Sequence, residues 1–166
     1  MIFRNVLVIF LLALAISSFS QIYLLPTEKL IFSFDTQSGK KICLATDKEN
    51  KYIIYRFGTK SNIEFEFPGK SKDSWKNFKY SFYLRGGGAQ NEGMDLNYIY
   101  FINKNYEYVI YDTYYAADEK RKIGIKITDL TTKKITNIQG KLNTQKGNLT
   151  GFRDNHLLEI GDEIFD

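Results

Sequence analysis

The chain contains one histidine and one cysteine among 166 residues, and each scarcity removes a class of chemistry. With His156 alone, neither a Ser-His-Asp or Cys-His arrangement nor a multi-histidine metal site can be assembled with its usual residues inside one copy. With Cys43 alone, no internal disulfide can form, so stability must come from the packed core. In "KKICLAT" a two-residue period puts Ile42 and Leu44 on one strand face and Cys43 on the other with Lys41 and Ala45. That predicts a half-buried small apolar residue, with an intermolecular disulfide or reactive thiol as the alternative. No neighbour is placed to lower the thiol pKa.

Charge of one sign is also missing. Lys and Arg total 23 against 19 Asp and Glu, a net charge of +4. This is too small an imbalance to argue for nucleic acid, which wants a concentrated basic face. Lysines collect instead at connectors such as "SGKK", "DEKRK" and "TTKK", where they favour solubility and protect sheet edges. A weak attraction to anionic cell-envelope polymers is the alternative reading of these lysines. Nucleotide motifs fail as well. Gly86 and Gly88 begin a Gly-x-Gly spacing, but Asn91 stands at the third glycine position, and the Lys-Ser or Lys-Thr ending of a P-loop is absent. "DKENK" and "TDLTTKK" lack the length and oxygen pattern of a calcium loop. No cofactor and no metal are expected.

Long apolar runs are absent except at the start. In "MIFRNVLVIFLLALAISSFS", Arg4 precedes an apolar stretch that closes on small residues, with Ser18 and Ser20 in the small-x-small pattern of a cleavage site. Residues 1–20 therefore read as a secretory signal peptide, and 21–166 as one domain located in the periplasm or outside the cell. The apolar stretch falls short of the ~20 residues that span a bilayer, so no transmembrane segment is expected in the mature chain. Loss of Arg4 takes the net charge from +4 to +3.

What fills the rest is alternation. "NIEFEFP" sets Ile63, Phe65 and Phe67 against Glu64 and Glu66, and "KNFKYSFYL" aligns Phe78, Tyr80, Phe82 and Leu84. Further strands are predicted over 30–34, 41–45, 52–57, 96–102, 106–115, 122–127 and 134–138. Short polar connectors rich in Gly, Asn and Asp join them, which makes successive strands antiparallel neighbours. About nine short strands without an amphipathic helix predict an all-β fold, a single antiparallel sandwich or closed barrel. In the tail, "LTGF" and "HLLEI" close the sheet as strands, or the last forms a short helix. An outer-membrane barrel is disfavoured by short strands and by the four acidic residues of "EIGDEIFD".

The candidate site residues follow from the longest connector. In "RGGGAQNEGMD", Gly86, Gly87 and Gly88 permit a sharp bend or a close backbone approach, Arg85 adds a bidentate donor, and Asn91 and Asp95 supply polar groups. The loop is either a corner between strands or a recognition loop on a rigid sheet. Trp75, set among Lys70, Lys72, Lys76 and Lys79, either caps the core or anchors a partner. Glu92 and Asp95 are the best-placed pair for acid–base work, which would require them to flank a cleft. Ser38 and Lys41 have the spacing of a serine–lysine pair but fall at a turn. Asn148-Leu149-Thr150 matches a glycosylation acceptor in a eukaryotic secretory pathway.

"YIIYRFGTKSNIEFEFP", "SWKNFKYSFYLRGGG" and "NEGMDLNYIYF" together resemble a pattern in small exported bacterial proteins of unknown function, over about residues 40–130. The resemblance implies an all-β domain in a bacterial envelope and carries no activity or catalytic residue. The combined expectation is a non-enzymatic periplasmic or secreted binding protein that engages another protein, or a cell-envelope glycan, through a loop face. An inhibitor or immunity protein would suit its size. The alternatives are a carrier of an apolar small molecule in a β-barrel and a carboxylate-dependent enzyme of the cell envelope.

Overall fold

A computed structural model describes residues 23–164, so the signal-peptide reading of residues 1–20 lies outside the described residues. The strands are β1 (Glu28–Asp35), β2 (Lys41–Asp47), β3 (Ile53–Thr59), β4 (Asn62–Phe67), β5 (Phe78–Arg85), β6 (Met94–Asn103), β7 (Tyr106–Tyr115), β8 (Lys120–Asp129), β9 (Ile135–Gln139), β10 (Lys146–Gly147) and β11 (Glu159–Ile160). They form two sheets, ordered β10-β1-β2-β3-β4 and β11-β5-β6-β7-β8-β9. The fold is an all-β sandwich, and the closed barrel is corrected: the chain leaves the first sheet after β4 and starts a second one instead of pairing back onto β1.

Alternation decides which side chains enter the space between the sheets. Ile42 and Leu44 from β2, Tyr55 from β3, Phe78 and Tyr80 from β5, and Ile99 and Phe101 from β6 all join one buried cluster. Aromatic rings bridge the layers: Phe101 stacks on Phe67 at 4.6 Å between centroids and lies 5.3 Å from Tyr55. Its face also meets Tyr108, its cross-strand partner, at 4.8 Å. Such offset and edge contacts add roughly 0.5–1.5 kcal/mol per pair beyond the area they bury. Rings occupy the interior that a carrier's ligand would need.

One tail expectation changes and the other holds with a different strand direction. "LTGF" forms a 3-10 turn, Thr150–Phe152, which drops Phe152 into the core beside Tyr80. "HLLEI" contributes β11, which runs parallel to β5 rather than antiparallel. β10 meanwhile pairs with β1, so the segment 146–160 reaches the edge of each sheet.

The outward face of the first sheet is covered by the chain that leads into β1. Arg56 is 1 % exposed there; its Nη1 donates to the Tyr23 carbonyl at 2.8 Å, and its guanidinium holds Glu28 through bonds of 2.6 and 2.7 Å. Its Nε donates to Glu66 Oε2 at 2.7 Å. Beneath the same cover Cys43 is fully buried, its Sγ donating to the Tyr23 carbonyl at 3.4 Å. It is therefore more enclosed than the half-buried residue expected. Burial pushes its thiol pKa up to about 12, which leaves it unreactive at neutral pH.

Candidate functional site

The glycine loop joins β5 to β6 as a hairpin whose last rung pairs Arg85 with Met94. Its interior is tied by its own backbone: Gly93 N donates to Gly88 O at 2.8 Å, and Ala116 N from the β7–β8 turn donates to Gly93 O at 2.7 Å. The glycines are not equivalent. Gly87 adopts φ +96°, and a Cβ there would lie 2.2 Å from Asn91 Nδ2, whereas a Cβ on Gly86 would meet open space. Gly88 is also left-handed, at φ +63°, so the run is a built corner with two positions that only glycine fills without strain. Arg85 stands beside it, 3.7 Å from Glu92.

Two apolar side chains next to this corner were not singled out from sequence. Leu84 and Tyr114 lie on the inward side of the second sheet, on one rung that runs Leu84–Asp95–Tyr114–Arg121. Alternation assigns Leu84 to the core with Phe78, Tyr80 and Phe82, yet it is 59 % exposed, and Tyr114 is 39 % exposed. The first sheet does not extend over this rung, so the end of β5–β8 overhangs. The next rung, Arg85–Met94–Tyr115–Lys120, presents the opposite face, where the Lys122 ammonium sits 5.3 Å from the Tyr115 ring.

Beneath the overhang lies a cleft of about 280 Å³ lined by Asp95, Asn97, Asp112, Tyr114, Arg121 and Thr150. Arg153 enters from the tail; its Nη2 bonds the Asp95 carboxylate and donates to Asn97 Oδ1 at 2.8 Å. Asn97 Nδ2 donates to Asp95 Oδ1 at 2.6 Å, and Tyr80 OH donates to Asn97 Oδ1 at 2.6 Å. Asp112 is almost fully buried and takes bonds of 2.9 and 3.3 Å from Arg121 Nη2. Burial pushes its carboxyl above the ordinary aspartate value; Arg121 pulls the other way without cancelling the effect.

The structure gathers some of the sequence candidates and separates others. Arg85, Gly86, Gly87, Gly88 and Asn91 share the corner, and Asp95 lies one strand face away, turned inward against Arg153. Glu92 and Asp95 do not meet as a pair; the carboxylate that faces the cleft with Asp95 is Asp112. Trp75 stands before β5 and Arg85 ends it, so the length of the strand, ~23 Å, separates them. The Trp75 ring packs against the core and its Nε1 donates to Asn50 O at 3.0 Å. His156 is exposed. Among the described residues no group of three His, Cys, Asp or Glu side chains converges as a metal site, and no helix is long and apolar enough to cross a membrane. Comparison with protein-family models, curated proteins and solved structures returned no match to this chain.

Proposed function

We propose that this is a non-enzymatic binding protein of the bacterial periplasm or exterior, which docks another protein on the overhanging end of β5–β8. The supporting observation is the exposure of Leu84 and Tyr114 on one rung with Arg121, at the sheet end closed by the hydrogen-bonded corner, with Arg85 on the opposite face of that same end. Apolar and aromatic anchors next to an arginine, ringed by polar groups, are the usual make-up of a protein interface, and a preformed corner spares the cost of ordering a loop. Trp75, at the other end of β5, falls outside this surface. Inhibition of an envelope hydrolase or of a secreted toxin is the kind of task such a surface would perform.

Photo-crosslinking tests the reading. A crosslinking side chain at position 84 should yield a discrete adduct in the producing cells, and Tyr114→Ala, on the same rung and face, should weaken it. The same group at Ile135, equally exposed on β9, serves as the comparison. The same adducts from both positions would refute the docking surface.

A second reading, a carboxylate-dependent enzyme, rests on Asp112, whose raised carboxyl pKa faces the cleft close to Asp95. Both carboxylates are held by guanidinium groups, which favours a structural role. Loss of turnover in Asp112→Asn with any hydrolysable envelope glycan would favour the enzyme instead.

A further inference from the structure

A second pocket, of about 390 Å³, opens near the opposite end of β5, between the β1 edge and the tail. Trp75, Phe152 and Leu157 supply apolar walls, while Thr46, Asn148 and Asn155 supply polar groups. Among the described residues Lys29 is the only charged side chain in the lining and no carboxylate joins it, so a cation finds no partner there, and every other lining group is uncharged. Nearby, β1 carries a bulge at Ile31, between Leu30 and Phe32. Bulges of this kind tend to sit where a sheet edge must make room.

The fold uses several of these polar groups and leaves one of them over. Thr46 is 1 % exposed, and its Oγ1 makes no hydrogen bond among the described residues. A buried hydroxyl without a partner is unfavourable, and native structures retain few of them. The amide oxygens of Asn148 and Asn155 are consumed by the chain: Asn148 Oδ1 accepts from Thr150 N at 3.1 Å, and Asn155 Oδ1 accepts from Leu157 N at 3.0 Å. That fixes both side chains and leaves their Nδ2 groups as donors. Trp75 is held in turn through its Nε1 bond to Asn50 O.

We infer that this pocket binds a sugar ring of a neutral glycan. An indole offers a flat surface to the C–H face of a pyranose, and fixed amides with a buried hydroxyl match its ring of hydroxyl groups. The volume lies at the lower end of the ~300–1,000 Å³ range of small-molecule sites, which suits one or two sugar units. This site is independent of the docking surface at the other end of the molecule.

Trp75 is the only tryptophan in the chain, so indole emission reports this pocket alone. Titration of the purified protein with maltotriose, mannotriose and fully N-acetylated chitotriose should give a saturable emission change with at least one of them. Thr46→Val, which keeps the shape and removes the hydroxyl, should weaken that sugar about fivefold, within the range of one hydrogen bond, while the thermal midpoint holds or rises. Leu84→Glu should leave the titration unchanged. Absence of a saturable response to all three sugars, unaltered affinity in Thr46→Val, or loss of binding in Leu84→Glu would each overturn the assignment.

Discussion

Two arginine–carboxylate clusters serve the two sheets, and they differ in how completely they are enclosed. Around Arg56 the guanidinium and Glu28 are both buried, and Tyr23, Tyr52 and Leu25 satisfy what they leave over. At the cleft, Asp112 is buried but Arg121 is about half exposed, and Asp95 remains partly open beside Arg153. The first cluster meets water only at its Glu66 edge and pins the covering segment to its sheet. The second keeps charge at an opening, where a partner can reach it.

The largest difference should appear on mutation. Glu28→Ala strands a buried guanidinium and is expected to cost about 3–5 kcal/mol in denaturant unfolding. Asp112→Asn should cost no more than about 1 kcal/mol, because Arg121 can turn to solvent and the buried charge is relieved. Equal losses in the two variants would erase the distinction.

The glycine corner tests whether the open end is preformed. Gly87→Ala must hold a side chain at φ +96° against Asn91, and about 1–2 kcal/mol of stability should be lost, whereas Gly86→Ala should stay within about 0.5 kcal/mol. Similar behaviour of the two alanine variants in thermal melts would mean the loop is pliable.

Acid should act on the two clusters with opposite sign. Burial works to raise the Glu28 carboxyl, but the Arg56 bonds and charge outweigh it and hold the pKa below the ordinary value. Its stabilisation is complete above about pH 4 and is lost as pH falls through the lowered folded value. Asp112 is raised, so the stability gained from its protonation is present below about pH 4 and is lost as pH rises through the raised folded value. Urea midpoints across this range should fall more steeply with acid in Asp112→Asn than in the wild type, and less steeply in Glu28→Gln. Parallel curves would contradict the assignment. The smallest expected change in stability is that of Leu84→Glu, within about 0.5 kcal/mol, although it should abolish the crosslinked adduct.

Period-two alternation made the first nine strands legible, because each places apolar residues against one core and ends at a connector with turn chemistry. Alternation says which face a residue takes but not how far the facing sheet extends, which is why Leu84 reads as core and lies exposed. Arg56 escaped for a related reason: an arginine within "YIIYRF" looks like an ordinary outward charge until a distant segment covers it. Asp112 likewise gave no sign of converging with Asp95, since cross-strand register is invisible in one sequence. β10 and β11 are two residues each, too short for any period to show.

Those two short strands set an order on assembly. The first pairs Gly147 with Phe32 and the second pairs Glu159 with Lys79, so each sheet waits for a strand made long after its neighbour to complete one border. A chain still emerging from the ribosome therefore carries two unfinished sheet margins, and trimming a few residues after Leu158 would reopen the β5 margin to pairing with other molecules.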